Sequence, residues 1–181
     1  FAGVLLTALI AGLGGSALCR VILRVMNIVG RWRATKKIIY IIACALAIAL
    51  ISFVWGGSMV GSGKEIMTQT LFTNNKHVEW YVPFLRMLGS LLSFTTGGAG
   101  GVFAPALAAG ASVGSVLSGW LHCTPADANI LILAGMVAFL TGVTRTPFTS
   151  AILVLEMTDR HNVIFHLMLA AMVANVAALL V

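Results

Sequence analysis

The sequence predicts an all-α, polytopic membrane protein, and three observations carry that prediction. Of 181 residues, 60% are hydrophobic and only 9% charged, with a mean hydropathy of +1.03. The chain therefore lacks the polar surface that a soluble domain of this size must present to water. Its apolar residues fall into long stretches at 1–29, 38–55, 78–94, 102–121, 130–143, 148–157 and 163–181, several of them near the roughly 20 residues a helix needs to cross a bilayer. It also carries 19 glycines, and small residues let helices approach closely where hydrophobic burial gives no drive for association in lipid. The Gly110 to Gly114 spacing suits such a crossing, whereas Gly61, Gly63 and Gly142 read as residues that begin or end helices.

Taken in order, the first stretch runs into a basic region. Six of the eleven Lys and Arg residues (Arg20, Arg24, Arg31, Arg33, Lys36 and Lys37) lie together with no acid among them. The positive-inside rule makes that region cytoplasmic, and the individual charges also suit lipid headgroups. The net charge of +6 does not point to nucleic acid, because only Trp32 lies nearby and no soluble basic face interleaved with aromatics is present. Phe1 opens the chain without a basic n-region, so the first apolar segment is not expected to be a cleavable signal peptide, and the start reads as a cut through a longer polypeptide. Cys19, Cys44 and Cys123 are too widely spaced for a metal site. The first two are expected to be free thiols in apolar helices.

Seven or eight helices follow from these stretches, and some are too short to cross. The segment 148–157 and the region around 66–72 are the clearest cases. Short, glycine-broken helices are what transport bundles use when helix ends must meet near the bilayer midplane. The polar connections at 56–63, 73–77, 122–129 and 158–162 hold turn residues rather than linkers, and no repeat or low-complexity tract appears, so the chain reads as one domain or a piece of one.

Residues 95–105 read TTGGAGGVFAP. Without Cβ atoms, Gly97, Gly98, Gly100 and Gly101 let the main chain take unusual dihedrals and lie close to another object. The helix that follows leaves its first N–H groups unpaired at the positive end of its dipole, and Pro105 fits its first turn, where a missing N–H costs nothing. In lipid such a turn must be buried in protein or line a cavity. On chemistry alone the string suits an anion site or a tight packing turn between helices.

GGVFAP, followed by an alanine- and glycine-rich helix and then by LAGMVAFLTGVTRTPFTSAILVLEMTD, closely resembles the second half of the CLC family of chloride channels and chloride/proton antiporters. The likeness is strong over 93–159 and weaker over 1–92. It implies a CLC-type bundle of tilted, short and re-entrant helices built as two inverted halves. Residues 1–181 would be a partial ion-transport domain, the later half only, without the first inverted half and the final helix. It also implies that the backbone N–H groups of Val102 and Phe103 bind the central halide, with Gly98, Gly100, Gly101, Ala104 and Pro105 shaping the loop and helix start. The family's GSGxP serine and GxExP glutamate motifs do not occur here, and neither Tyr40 nor Tyr81 stands where the family's pore tyrosine would. Chloride is thus the implied transported ligand, with no cofactor, no metal and no enzymatic activity. The implied full-length partner is a second copy, with the segments beginning at Phe148 and Val163 and ending at Met157 and Val181 near the interface. Fluoride or nitrate selectivity is the alternative within the family, and outside transport the alternatives are an intramembrane serine protease using Ser62 and a purely structural membrane anchor.

Other candidates weigh less. Glu156 lies in an apolar segment, where a charge costs roughly 2.5–3.5 kcal/mol at a helix centre, but it closes a short helix beside Asp159 and Arg160 and reads as structural, reaching the interface or pairing locally. Arg145, before Pro147, reads as capping neighbouring carbonyls or meeting headgroups. The run from Gly61 to Glu65 fails as a phosphate loop, since Ser58 and Glu65 replace its first glycine and its Ser/Thr. An intramembrane serine protease using Ser62 would need His161 or His166 as base and an oxyanion hole that nothing supplies. His77 and His122 read as solvated loop histidines.

Overall fold

The structure, a computed structural model, describes residues 1–55, 61, 63–73, 76, 78–98 and 100–180, apart from the His161 side chain. Eight α-helices account for most of it: α1 Ala2–Gly30, α2 Ala34–Trp55, α3 Lys64–Phe72, α4 Val82–Thr95, α5 Phe103–Trp120, α6 Pro125–Thr144, α7 Pro147–Thr158 and α8 Ile164–Leu179. A 3-10 turn at His161–Val163 precedes α8, and no strand occurs among the described residues. Four helices (α1, α2, α5 and α6) are long and apolar enough to cross a membrane, while α4, α7 and α8 are shorter. The 12-residue α7 and the 9-residue α3 are the short elements the sequence foretells.

Helix α6 is the centre. Every residue from 131 to 142 is buried, as expected of a helix that is apolar all round. It packs most extensively against α5 and α1, with α8 closing over α1 and α6. Glycine sets how close these helices come. A Cβ at Gly110 of α5 would run into the Gly135 carbonyl of α6, and a Cβ at Gly135 would run into the Gly110 carbonyl, so the two backbones touch. One turn on, a Cβ at Gly114 would lie 2.6 Å from Ile132 Cα. The spacing therefore does what the sequence foretells. Gly142 does not: it lies inside α6, where a Cβ would strike the Gly12 carbonyl and come within 3.0 Å of Ser16 N on α1, so its role is close approach rather than helix termination. Gly61 and Gly63 do serve as turn residues, at φ 88° and 78°, with Gly63 capping α3.

Three helix starts differ from the apolar pattern by four or five residues, the first being that of α2, which begins at Ala34 rather than at residue 38. Helix α4 starts at Val82 rather than at residue 78, with Pro83 in its first turn. Helix α6 starts at Pro125 rather than at residue 130, because Thr124 caps it by accepting from Asp127 N at 3.3 Å. Thr-Pro-Ala-Asp is an N-terminal capping signal that hydropathy alone overlooks.

Helix α2 stands apart. Among the described residues its one appreciable neighbour is α4, and Ile38, Ile39, Ile42, Leu46, Leu50 and Phe53 are all exposed, an apolar surface that suits lipid or another protein face.

Candidate functional site

The glycine loop leaves α4 after Thr95 and delivers the chain to the start of α5. Gly97 turns it, at φ 83° with its N–H bonded to Phe94 O at 3.1 Å. Among the described loop glycines it alone has positive φ. Gly98, Gly100 and Gly101 do not use left-handed dihedrals, a correction to the sequence reading. What Gly100 and Gly101 contribute is a thinly covered main chain: among the described residues, a Cβ at Gly101 would have nothing within 4 Å, and one at Gly100 would meet only Phe94 Cε1 at 3.7 Å. Ala99 lies outside the described residues.

Val102 is the N-cap of α5 and Phe103 its first residue. The carbonyl of Val102 accepts from Ala106 N at 3.1 Å, which starts the helical ladder. The N–H groups of Val102, Phe103 and Ala104 precede that ladder, and no side chain caps them. Pro105, third in the helix, carries no N–H. Behind these amides stand 18 helical residues, whose aligned dipoles place about half a positive charge at this end. The structure places Gly98, Gly100, Gly101, Val102, Phe103, Ala104 and Pro105 along the end of the loop and the first turn of α5. Val102 and Phe103 are 39% and 51% exposed, so within this chain the site lies open at the edge of the bundle.

Two hollows flank the loop. One, of about 480 Å³, is walled by Cys19, Ile22, Phe94, Phe103, Val143 and Thr144 and is mostly apolar. The other, of about 260 Å³, is lined by Ile48, Arg86, Ser90, Ser93, Gly98 and Gly101. Arg86 is the residue sequence reasoning missed. It is buried in α4, with Nη1 donating to Gly61 O at 3.1 Å and Nε without a hydrogen-bond partner among the described residues. It also faces a further hollow over Gly61, Gly63, Glu65 and Gln69. A lone arginine in the apolar segment 82–95 was the available signal, since an ionisable group there is functional by default.

The remaining candidates separate from the site. Glu156 is exposed on α7 with no ion pair among the described residues, so it does not pair locally. Arg145 is exposed at the left-handed C-cap of α6, and its backbone N–H, not its side chain, bonds Thr141 O at 2.8 Å. His122 is an exposed loop residue, and His166 stacks on Phe1 at 4.9 Å. Cys44 is buried and Cys19 half-buried, both free. Ser58, Ser62 and His77 lie outside the described residues.

A bundle with four helices long and apolar enough to cross a membrane, and with an uncapped helix start between two hollows, has the make-up of an integral membrane protein. Residues 1–179 match the family model described as voltage gated chloride channel, and the chain belongs to that family. Among curated relatives, it is 35% identical over 102 residues to the H(+)/Cl(-) exchange transporter ClcA of Citrobacter koseri, and 32% identical over 102 residues to that of Cronobacter sakazakii. Each alignment covers 54% of this chain and 22% of the relative, so the chain matches only about a fifth of those proteins' length. Among solved structures, a CLC-type fluoride/proton antiporter superposes with a TM-score of 0.82 at 22% identity, covering 96% of this chain and 42% of that one. A slow cyanobacterial Cl-/H+ antiporter superposes with a TM-score of 0.78 at 18% identity, covering 98% and 45%. At these identities the two superpositions speak for the fold, which is the CLC-type bundle expected from the sequence.

Proposed function

We propose that this chain supplies part of a halide pathway, in which the N–H groups of Val102 and Phe103 stand in for water around a dehydrated chloride. The observation that carries the proposal is the uncapped start of α5, presented by a loop whose glycines leave its main chain uncovered. Partial charges suit transport: a full positive charge in contact with the ion in a low dielectric holds it too tightly to release. Arg86 keeps its charge one hollow away, partly offset by the Gly61 carbonyl, where it raises the local anion concentration without touching the central ion. Chloride is favoured over fluoride or nitrate because the relatives above 30% identity are named for chloride exchange. The chain acts without a cofactor and without enzymatic chemistry. In the intact protein Arg20, Arg24, Arg31, Arg33, Lys36 and Lys37 face the cytoplasm, and α7 and α8 lie near the interface of a homodimer, leaving lipid and a second copy as its partners.

The test is chloride efflux from vesicles holding the full-length protein with Gly101→Ala. A Cβ there strains no dihedral and meets no other described residue within 4 Å, so stability should hold while flux falls by roughly tenfold or more, the equivalent of about 1.4 kcal/mol against an anion at the amides. Unchanged flux would exclude a halide at this loop.

A further inference from the structure

Helix α2 meets the bundle along a narrow seam. Lys37, Tyr40, Cys44, Ala47, Ile48, Ile51 and Ser52 recur at helical spacing and are the partly or fully buried positions between flanking exposed ones. On that seam the Tyr40 hydroxyl donates to Thr95 Oγ1 at 2.8 Å. Among the described residues, this is the side-chain hydrogen bond that joins α2 to another helix. Thr95 is 2% exposed, and its own proton goes to Leu91 O at 2.7 Å, so both of its roles, donor and acceptor, are used.

Thr95 is the last residue of α4. Beyond it the chain is turned by Gly97 and runs through glycines that the rest of the chain touches little: among the described residues, Cβ atoms at Gly97 and Gly101 would find no neighbour within 4 Å. The loop is therefore located by its two ends, the start of α5 and the end of α4. The first is held by deep burial of α5 against α6. The second is held from the side by Tyr40.

We propose that Tyr40 is a positioning residue for the anion site: through Thr95 it fixes the end of α4, and with it the path of the glycine loop that aims the Val102 and Phe103 amides. The inference rests on the halide reading of those amides.

The experiment is titration calorimetry of the full-length protein with sodium chloride and, in parallel, sodium nitrate, together with its melting temperature. The variants are Tyr40→Phe, Thr95→Val, the double variant and Thr95→Ser. Tyr40→Phe keeps the ring and removes only the donor. It should weaken chloride binding roughly threefold to tenfold and change the chloride-to-nitrate ratio. The double variant should bind as the weaker single one does, because both remove one interaction, and Thr95→Ser, which retains the hydroxyl, should bind as the unaltered protein does. Wild-type affinity and anion preference in Tyr40→Phe, or losses that add in the double variant, would overturn the inference, as would a lowered melting temperature with anion affinity intact. Absence of chloride binding in the unaltered protein would instead overturn the halide reading on which it stands.

Discussion

Replacing Gly135 by alanine should break the crossing that holds the anion site in place. The new Cβ would run into the Gly110 carbonyl and fall 3.1 Å from Gly114 N and 3.3 Å from Gly110 C. All of these are backbone atoms of α5, which cannot rotate aside as a side chain can. The helices must part by on the order of 1 Å to restore contact distance, and such a gap forfeits about a quarter to a half of each contact's ~0.1–0.2 kcal/mol. A few tens of contacts between the buried faces of α5 and α6 then lose about 2–3 kcal/mol, within the range for overpacking. Alanine's helix preference over glycine returns about 1 kcal/mol, leaving a net loss of about 1–2 kcal/mol. At about 2–4 °C per kcal/mol for a domain near this size, the melting temperature of the detergent-solubilised full-length protein should fall by about 2–8 °C. Because α5 carries Val102 and Phe103 at its start, chloride affinity should fall with it. Gly30→Ala is the control, since a Cβ there has nothing within 4 Å. A Gly135→Ala protein as stable as Gly30→Ala would refute the claim that backbone contact sets this crossing.

Two further perturbations bear on the site. Arg86→Gln removes the charge from the hollow beside the loop. With Arg86 nine residues before Thr95, about 13 Å along α4, one charge at an effective dielectric near 20 is worth about 1 kcal/mol. Chloride flux in vesicles at low ionic strength should therefore fall roughly fivefold, and the deficit should shrink in high salt of a non-permeant anion; a salt-independent deficit would mean that Arg86 acts through structure instead. Ser62→Ala should leave chloride flux at the wild-type level, and loss of a peptide-cleaving activity in that variant would favour intramembrane chemistry over transport.

Much of this architecture can be read in the sequence where a single physical rule decides it. Gly110 and Gly114 announce a close helix crossing because glycine at that spacing in an apolar helix has few other uses. The start of α5 is legible because glycines, then Phe103, then Pro105 set a loop against a helix whose first amides lack acceptors. Gly142 was not legible: a glycine three residues before Arg145 looks like a helix end, and only the approach of α1 reveals that Gly12 occupies its missing side chain's place. The start of α6 was obscured because Thr124 to Asn129 is polar enough to look like loop, while Thr124 and Asp127 in fact cap the helix. Tyr40 and Thr95 are 55 residues apart, and nothing local marks them as partners. Arg86 was detectable by the cost of burying its charge, but its opening toward the loop follows only from how α4 lies against α5.

The most direct measurement is a bromide soak of crystals of the full-length protein, with anomalous data collected at the bromine edge. The account predicts a peak within hydrogen-bonding reach of the Val102 and Phe103 nitrogens, at the open side of Gly101. Amides found bonded to carbonyls, with no anomalous density beside them, would contradict it.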